Sequence, residues 1–274
     1  MLNSSKVTVI MGIYNCSKTL NASLESLFSQ TYKNWNVIMC DDGSTDDTYC
    51  VAEGIARQNP NKVILIKNDK NMGLNFTLNK CLDLADGTYI ARMDGDDICD
   101  STRFEKEVAF LDNNPQFAFV STHMVMFDES GDWGIDQTPE EPTPKDIVRG
   151  RTFCHAGCMI RKEAFVDVDG YSVAKKLLRV EDLHLWVKLY AKGYKGYNIQ
   201  EPLYKMRDDR NAYSRRKFSH RFNEYYVRTL AIKLLKLPIW YRIYAIKPIL
   251  VGLCPRFIYN LLHKRALRAK GIDK

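Results

Sequence analysis

Asp94 and Asp96 stand two residues apart in YIARMDGDD, Tyr89–Asp97, where a short apolar run ends in three carboxylates and one glycine. If Thr88–Met93 is a strand, period-two alternation turns both carboxylates to one side as the strand gives way to a loop, and Gly95 lets the backbone turn between them. Two anionic oxygens aimed at one point suit a hard divalent cation, Mg²⁺ or Mn²⁺, which commonly shares its coordination shell with substrate phosphates. The same tetrapeptide also reads as a surface turn, because Asp and Gly are turn formers, so its context must decide. A calcium loop started at Asp94 is excluded: its fifth position is Ile98, and its sixth, which needs glycine, is Cys99. A second acidic pair, Glu181-Asp182, opens an apolar-periodic segment, a place where the helix dipole alone favours acidic residues and would favour their ionised form.

The hydrophobic pattern supplies a scaffold that gathers these groups. Val7–Tyr14 is a nearly continuous apolar run suited to a strand buried on both faces, and Leu20, Leu24, Leu27 and Phe28 follow at helical spacing. Trp35–Cys40 is a second buried strand, stopped by Asp41-Asp42-Gly43-Ser44 and followed by a helix through Val51, Ala52, Ile55 and Ala56. Ser44 with Asp47 resembles a capping box for that helix. Val63–Lys67 is a third strand; after the loop Asn68–Gly73, a helix carrying Leu74, Leu78, Cys81, Leu82 and Ala85 leads into the strand before Asp94. These alternations predict an α/β fold, a largely parallel sheet flanked by helices with right-handed crossovers. Ligands bind such sheets beyond the carboxyl ends of the strands, which would gather Tyr14, Asp41-Asp42 and Asp94–Asp97 in one crevice. Further on, the pattern predicts a helix over Ser101–Asn113 and a strand over Phe117–Phe127. The acidic, proline- and glycine-rich stretch Asp128–Lys145 reads as a loop over the active face, and Glu181–Tyr190 as a helix ended by Gly193.

At 274 residues, 45% hydrophobic and 27% charged, the chain has room for one large domain, or one domain with an appendage, and does not read as disordered. The start, MLNSSKVTVIMGIY, lacks the basic region of a signal peptide and reads as a strand, so an intracellular protein is expected. Eight scattered cysteines without a C-x-x-C pair point to reduced, structural thiols. The net charge of +7 divides unevenly, with 18 Lys and Arg against 4 acidic residues in 205–274, and 22 against 29 in 1–204.

On these residues the chain resembles the inverting glycosyltransferases of family two, of the nucleotide-diphospho-sugar transferase (GT-A) fold. The resemblance covers about residues 5–195 and rests on VTVIMGIYN at 7–15, SLFSQTYKNWNVIMCDDGSTDDT at 26–48, NMGLNFTLNKCL at 71–82, GTYIARMDGDD at 87–97, Arg103-Phe104-Glu105, and EDLHLW at 181–186. It implies a Rossmann-like GT-A domain over 1–204, with a nucleotide-sugar half near 1–97 and an acceptor half near 98–204. It further implies that Tyr14 and Asp42 hold the uracil of a UDP-sugar, Asp94 the ribose, and Asp96, with Asp94 beside it, a Mn²⁺ or Mg²⁺ ion. Asp182 becomes the catalytic base, and Glu181, His155 and Arg92 contacts to donor or acceptor. His155, beside apolar neighbours, also reads as a packed core residue. Some members carry an Arg where this chain has Leu78, so the diphosphate contact must come from Arg92, Lys67 or a residue of the tail.

Residues 205–274 have the composition of basic amphipathic helices, which can lie on an anionic membrane or pack on the catalytic domain. The longest uncharged stretch there, the eight residues Pro248–Pro255, is too short to span a bilayer. No nucleic-acid-binding module accompanies the charge, so no nucleic acid partner is expected. The expected activity is transfer of a hexose from a UDP-sugar to a glycan or lipid-linked saccharide in cell-surface polysaccharide synthesis, at the inner face of the cell membrane. The rivals are a sugar nucleotidyltransferase, which needs a Gly-rich phosphate loop where this chain has Gly12-Ile13-Tyr14-Asn15-Cys16, and a non-catalytic binding scaffold of the same fold.

Overall fold

The computed structural model describes residues 5–208 and 217–253, so the expectations for 209–216 and 254–274 lie outside the described residues. In chain order the first half reads β1 (Val7–Ile13), α1 (Leu20–Phe28), β2 (Trp35–Asp41), α2 (Thr48–Gln58), β3 (Val63–Lys67), α3 (Leu74–Leu84) and β4 (Tyr89–Arg92). β1 pairs in parallel with β2 on one side and β4 on the other, and β2 pairs in parallel with β3. The second half reads β5 (Ile98–Cys99), α4 (Arg103–Asn113), β6 (Phe119–Asp128), β7 (Gly131–Asp136), α5 (Pro144–Arg149), β8 (Met159–Arg161), α6 (Lys162–Asp167), α7 (Glu181–Ala191), β9 (Gly196–Arg207), α8 (Ser219–Leu234) and α9 (Arg242–Leu253). The described strands form one sheet in the order β3-β2-β1-β4-β8-β6-β9-β5, with β7 on β6. The first four strands are wholly parallel; beyond β4 the sheet is mixed, because β8 runs antiparallel to β4 and β6 while β6 and β9 are parallel.

Alternation along the buried strands builds a core on each face. Val7, Val9 and Met11 of β1 and Val37 and Met39 of β2 face a core shared with Leu20, Leu24 and Phe104 of α1 and α4. Ile10, Ile38 and Cys40 face the other, shared with Leu78, Trp186 and Val227 of α3, α7 and α8. These nearly continuous apolar strands thus face hydrophobic layers on both sides.

The seven described cysteines are free. Two local expectations are corrected. The stretch Asp128–Lys145 is not a single loop: β7 pairs antiparallel with β6, because Trp133 and Ile135 alternate with polar and small neighbours behind a turn in which Asp128 Oδ1 accepts from Ser130 N at 2.8 Å. Ser44 and Asp47 form no capping box. Ser44 Oγ accepts instead from Asn15 N at 3.1 Å, and Asp46 Oδ1 takes the Thr48 N–H at 3.0 Å. A capping box does occur at α5, between Thr143 and Asp146.

The division expected at 204/205 falls inside β9, which continues along β6 to Arg207. Val227 and Ala231 of α8 and Ala245 of α9 are buried in the core around Trp186. No helix among the described residues is long and apolar enough to cross a membrane. At the start of β9, a Cβ on Gly196 would overlap the Phe119 ring, which is itself stacked on Trp186 at 4.9 Å. Gly196→Ala is expected to destabilise the protein by about 1–3 kcal/mol, read as a lower urea midpoint at an unchanged slope.

Candidate active site

β1 and β4 are parallel neighbours that end on the same side of the sheet, at the point where the strand order turns, because β2 and β3 extend the sheet on one side of β1 and β4 on the other. A crevice opens at such a point. One cavity of about 850 Å³ is lined by Tyr14, Asp42, Gly73, Arg179 and Glu181 among others. A second, of about 530 Å³, is lined by Tyr14, Lys18, Asp94, Asp96 and Arg207 among others. Both share Gly12 and Tyr14, so Tyr14, Asp42, Asp94, Asp96 and Glu181 line the walls of adjoining spaces, whereas Asp182, His155 and Arg92 line neither.

The Asp94–Asp97 turn is fastened from behind by α1 and the residue before it. Ser23 Oγ lies 2.8 Å from the Asp94 carbonyl and 2.6 Å from that of Asp97, and Thr19 Oγ1 donates to the Gly95 carbonyl at 2.9 Å. Gly95 is not in the left-handed region. A Cβ there would come within 2.8 Å of Cys16 Sγ, so the glycine is required for close approach and not for the turn. The third carboxylate, Asp97, is turned inward. It accepts from Tyr204 Oη and from Arg207 N, each at 2.8 Å, and burial followed by the charges of Asp94 and Asp96 raises its pKa well above the usual range. Asp97 therefore braces the end of β9 against the turn.

Asp94 and Asp96 differ in what surrounds them. Buried Arg92 donates through Nη2 to Asp94 Oδ1 at 2.7 Å, which offsets that charge. No side chain among the described residues is hydrogen-bonded to the Asp96 carboxylate. Although Asp96 reaches solvent, the surrounding protein and then Asp94 raise its pKa, the signature of an anion short of counter-charge. These residues fit a divalent cation held by Asp96, with Asp94 beside it and the remaining positions left for diphosphate oxygens and water. Among the described residues there is no group of three or more His, Cys, Asp or Glu able to hold a metal, so the fit is to an ion shared with a ligand, not to a closed cage.

Tyr14, just past β1, is 46% exposed and presents its ring to both cavities. Its loop is latched to the next one, where Thr45 N donates to Asn15 Oδ1 at 2.8 Å. Asp42 lines the larger cavity but is already engaged: its carboxylate accepts from Asn68 Nδ2, Met72 N and Gly73 N at 2.8–2.9 Å. Of the roughly four lone-pair directions of a carboxylate, this leaves about one for a ligand. Asp42 thus also shapes the Asn68–Gly73 loop, a duty its sequence position did not reveal.

Across the crevice, Glu181 and Asp182 open α7. Glu181 lines the larger cavity, and burial followed by the Asp182 charge raises its pKa. Asp182 is half-buried with Oδ1 accepting from Leu183 N at 2.7 Å, and it is not among the residues lining either cavity. His155 is packed, with Nε2 at 2.8 Å from Tyr171 Oη and its ring edge-on to Trp186. Burial and the nearby Arg92 guanidinium hold it well below the usual imidazole pKa, hence neutral. Leu78 is fully buried in the core.

Of the cations considered for a diphosphate, Arg92 is spent on Asp94, and Lys67 lines neither cavity. Among the described residues of the tail, Arg207 is in place beside the acidic turn. Its Nε donates to the Asp96 carbonyl at 3.3 Å, and with Lys18 it lines the cavity around Asp94 and Asp96. Sequence reasoning admitted a tail residue without being able to name it; the usable signal was that Arg207 closes a strand whose carboxyl end faces the crevice.

The family described as Glycosyl transferase family 2 matches residues 8–169. The chain is 42% identical over 265 residues, 97% of its length and 95% of the relative, to EpsE of Bacillus subtilis (strain 168), which carries the name of a glycosyltransferase. It is 31% identical, over 70% of this chain and 73% of the relative, to WfaP of Escherichia coli, named as a UDP-Glc:alpha-D-GlcNAc-diphosphoundecaprenol beta-1,3-glucosyltransferase. In three dimensions it superposes on S. aureus TarS 1–349 in complex with UDP-GlcNAc with a TM-score of 0.69. The identity there is 19%, over 90% of this chain and 71% of that one.

Proposed function

The chain belongs to glycosyl transferase family 2, and on that premise we propose that it is a metal-dependent, inverting hexosyltransferase using a UDP-sugar. The acceptor is a glycan or lipid-linked saccharide in cell-surface polysaccharide synthesis, met at the cytoplasmic face of the membrane, with residues 205–274 in peripheral contact with that surface. The observation that carries this reading is the pair of adjoining cavities that share Tyr14 and place Asp42 and Glu181 on one side and Asp94, Asp96 and Arg207 on the other.

Tyr14 offers a ring on which uracil stacks, and Asp42 one free acceptor direction for the base N–H. Asp94, held by Arg92, accepts from the ribose. Asp96 with Asp94 would hold a Mn²⁺ or Mg²⁺ ion, which would supply charge neutralisation for the departing diphosphate. Arg207 and Lys18 add positive charge on the same side. Asp182, next to the cavity-lining Glu181 at the start of α7, takes the proton of the attacking hydroxyl, and a single displacement inverts the anomeric carbon. Glu181, beside it, orients the sugar.

UDP release measured against a panel of UDP-sugars, with Mn²⁺ added or chelated, tests this reading. Metal-dependent UDP formation with transfer to a saccharide is the expected result, and pyrophosphate release or no turnover with any donor would overturn it. Arg207→Ala is expected to raise the donor KM by about 10- to 150-fold, from loss of a charge-assisted contact of ~1.5–3 kcal/mol. Steady-state kinetics in varied donor checks it, and an unchanged KM would remove Arg207 from the diphosphate.

A further inference from the structure

We propose that the outward face of α9 is an in-plane anchor that lies in the headgroup region of an anionic bilayer and holds the mouth of the crevice at the membrane surface. The proposal deepens the membrane contact of the functional reading and rests on that reading only for what the crevice does. The anchor itself is argued from α8 and α9.

The inward face of α9 is satisfied, with Tyr241, Ala245 and Pro248 buried. The outward face is not: Ile239, Ile243, Ile246, Leu250 and Leu253, spaced alternately four and three residues apart, are 42–70% exposed. With Ile239 in the turn just before the helix, that spacing draws one apolar stripe along α9. Contiguous exposed apolar surface of this kind marks an interaction site, whereas single exposed residues do not. Exposed Arg242 and Lys247 flank the stripe on its two sides, and exposed Trp240 sits at its start. Cations beside an apolar stripe, with Trp at headgroup depth, are the features of a helix lying in a lipid interface. With 12 residues, α9 is far too short to span a bilayer.

Charge decides between lipid and a second copy of the chain. Residues 217–253 carry seven Lys and Arg against one acidic residue, Glu224, whose carboxylate is paired with Arg228 at 2.8 Å. Two such faces would repel each other, while an anionic lipid surface complements them.

The surface also leads to the site. Phe218, just before α8, and Phe222 on it stand edge-on at 5.4 Å, both exposed, and Phe218 lies against Gly252 of α9, so the start of α8 packs on the end of α9. Asn223 Nδ2 donates to the Leu178 carbonyl at 3.0 Å, and Lys176 Nζ lies 4.3 Å over the Tyr226 ring. Lys175, Leu178 and Arg179 line the larger cavity. A lipid-linked acceptor could therefore present its sugar at α7 while its lipid stays in the bilayer.

The test uses the full chain and vesicles of phosphatidylcholine with or without phosphatidylglycerol. Wild type is expected to cosediment with phosphatidylglycerol-containing vesicles, and the double variant Ile243→Asp, Leu250→Asp to bind them at least tenfold more weakly. Val166→Asp, at an exposed position on α6, should bind like wild type. Circular dichroism and UDP release with a water-soluble acceptor should be unchanged in both. Equal vesicle binding by wild type and double variant would overturn the proposal. So would a wild-type dimer, seen by light scattering, that the double variant dissociates without any vesicle binding. Loss of vesicle binding in the double variant, in a protein that releases no UDP with any donor, would leave the anchor standing and remove the transferase reading alone.

Discussion

Asp182→Asn is expected to lower the rate of transfer by about 10²–10⁴-fold while UDP-sugar affinity stays within about twofold of wild type, the loss that removal of a positioned general base produces. Asp182 is proposed to act from the start of α7, beside the cavity-lining Glu181, and on that proposal its removal leaves the nucleotide side untouched. The side chain is held by its own helix, since Oδ1 accepts from Leu183 N at 2.7 Å, and Asn can keep that bond. The substitution thus removes the basic oxygen with little change of shape. Single-turnover transfer, with donor binding followed by calorimetry, separates the two effects. The neighbouring carboxylate makes the experiment a competition. Glu181 lines the larger cavity and its pKa is raised by burial and by Asp182, so it has some of the properties of a base. Glu181→Gln is expected to act mainly on KM. Should Glu181→Gln abolish turnover and Asp182→Asn preserve it, the base is one residue earlier than proposed.

Asp96→Asn is expected to cost about 10²–10³-fold in kcat, in the range found when one preorganised stabiliser of transition-state charge is removed. It should also move the Mn²⁺ concentration for half-maximal rate upward by at least tenfold. The physical reason is the inequality of the two carboxylates. Arg92 already offsets Asp94 at 2.7 Å, whereas Asp96 carries a raised pKa from its surroundings and from Asp94. A cation gains more from Asp96 than from Asp94. Asp94→Asn should accordingly shift the metal requirement less than Asp96→Asn does, and weaken donor binding through the ribose. A metal titration of all three proteins decides the order. The reverse order would exchange the two roles, and activity insensitive to chelation in wild type would remove the metal.

The strands that frame the site could be read from the chain because each is specified by its own residues. Val63–Lys67 has the bounds expected of it, and β1 and β2 differ from expectation by one residue at their ends. Nearly continuous apolar runs such as β1 and β2 favour burial on both faces, so periodicity pointed to the element and the α/β pattern to the side on which Tyr14, Asp42 and Asp94 gather. β7 escaped because its alternating Trp133 and Ile135 lie within a stretch whose acidic, proline and glycine content argues for a loop.

What the sequence determined by itself, then, was the family resemblance, the parallel half of the sheet and the gathering of Tyr14, Asp42, Asp94, Asp96 and Glu181 about the crevice. These follow from short-range spacing and from strand direction. The tertiary structure alone decided which of three adjacent acids faces the ligand and which is a brace. Asp97 is committed by Tyr204 and Arg207, 107 and 110 residues away. It decided likewise that Arg92 serves Asp94 and that Arg207 reaches the crevice, and it showed that α8 belongs to the core while the outer stripe of α9 is left to solvent. A contact across such separations depends on where β9 and α8 come to rest. No local period encodes that, because it is fixed only when both faces of the sheet have closed.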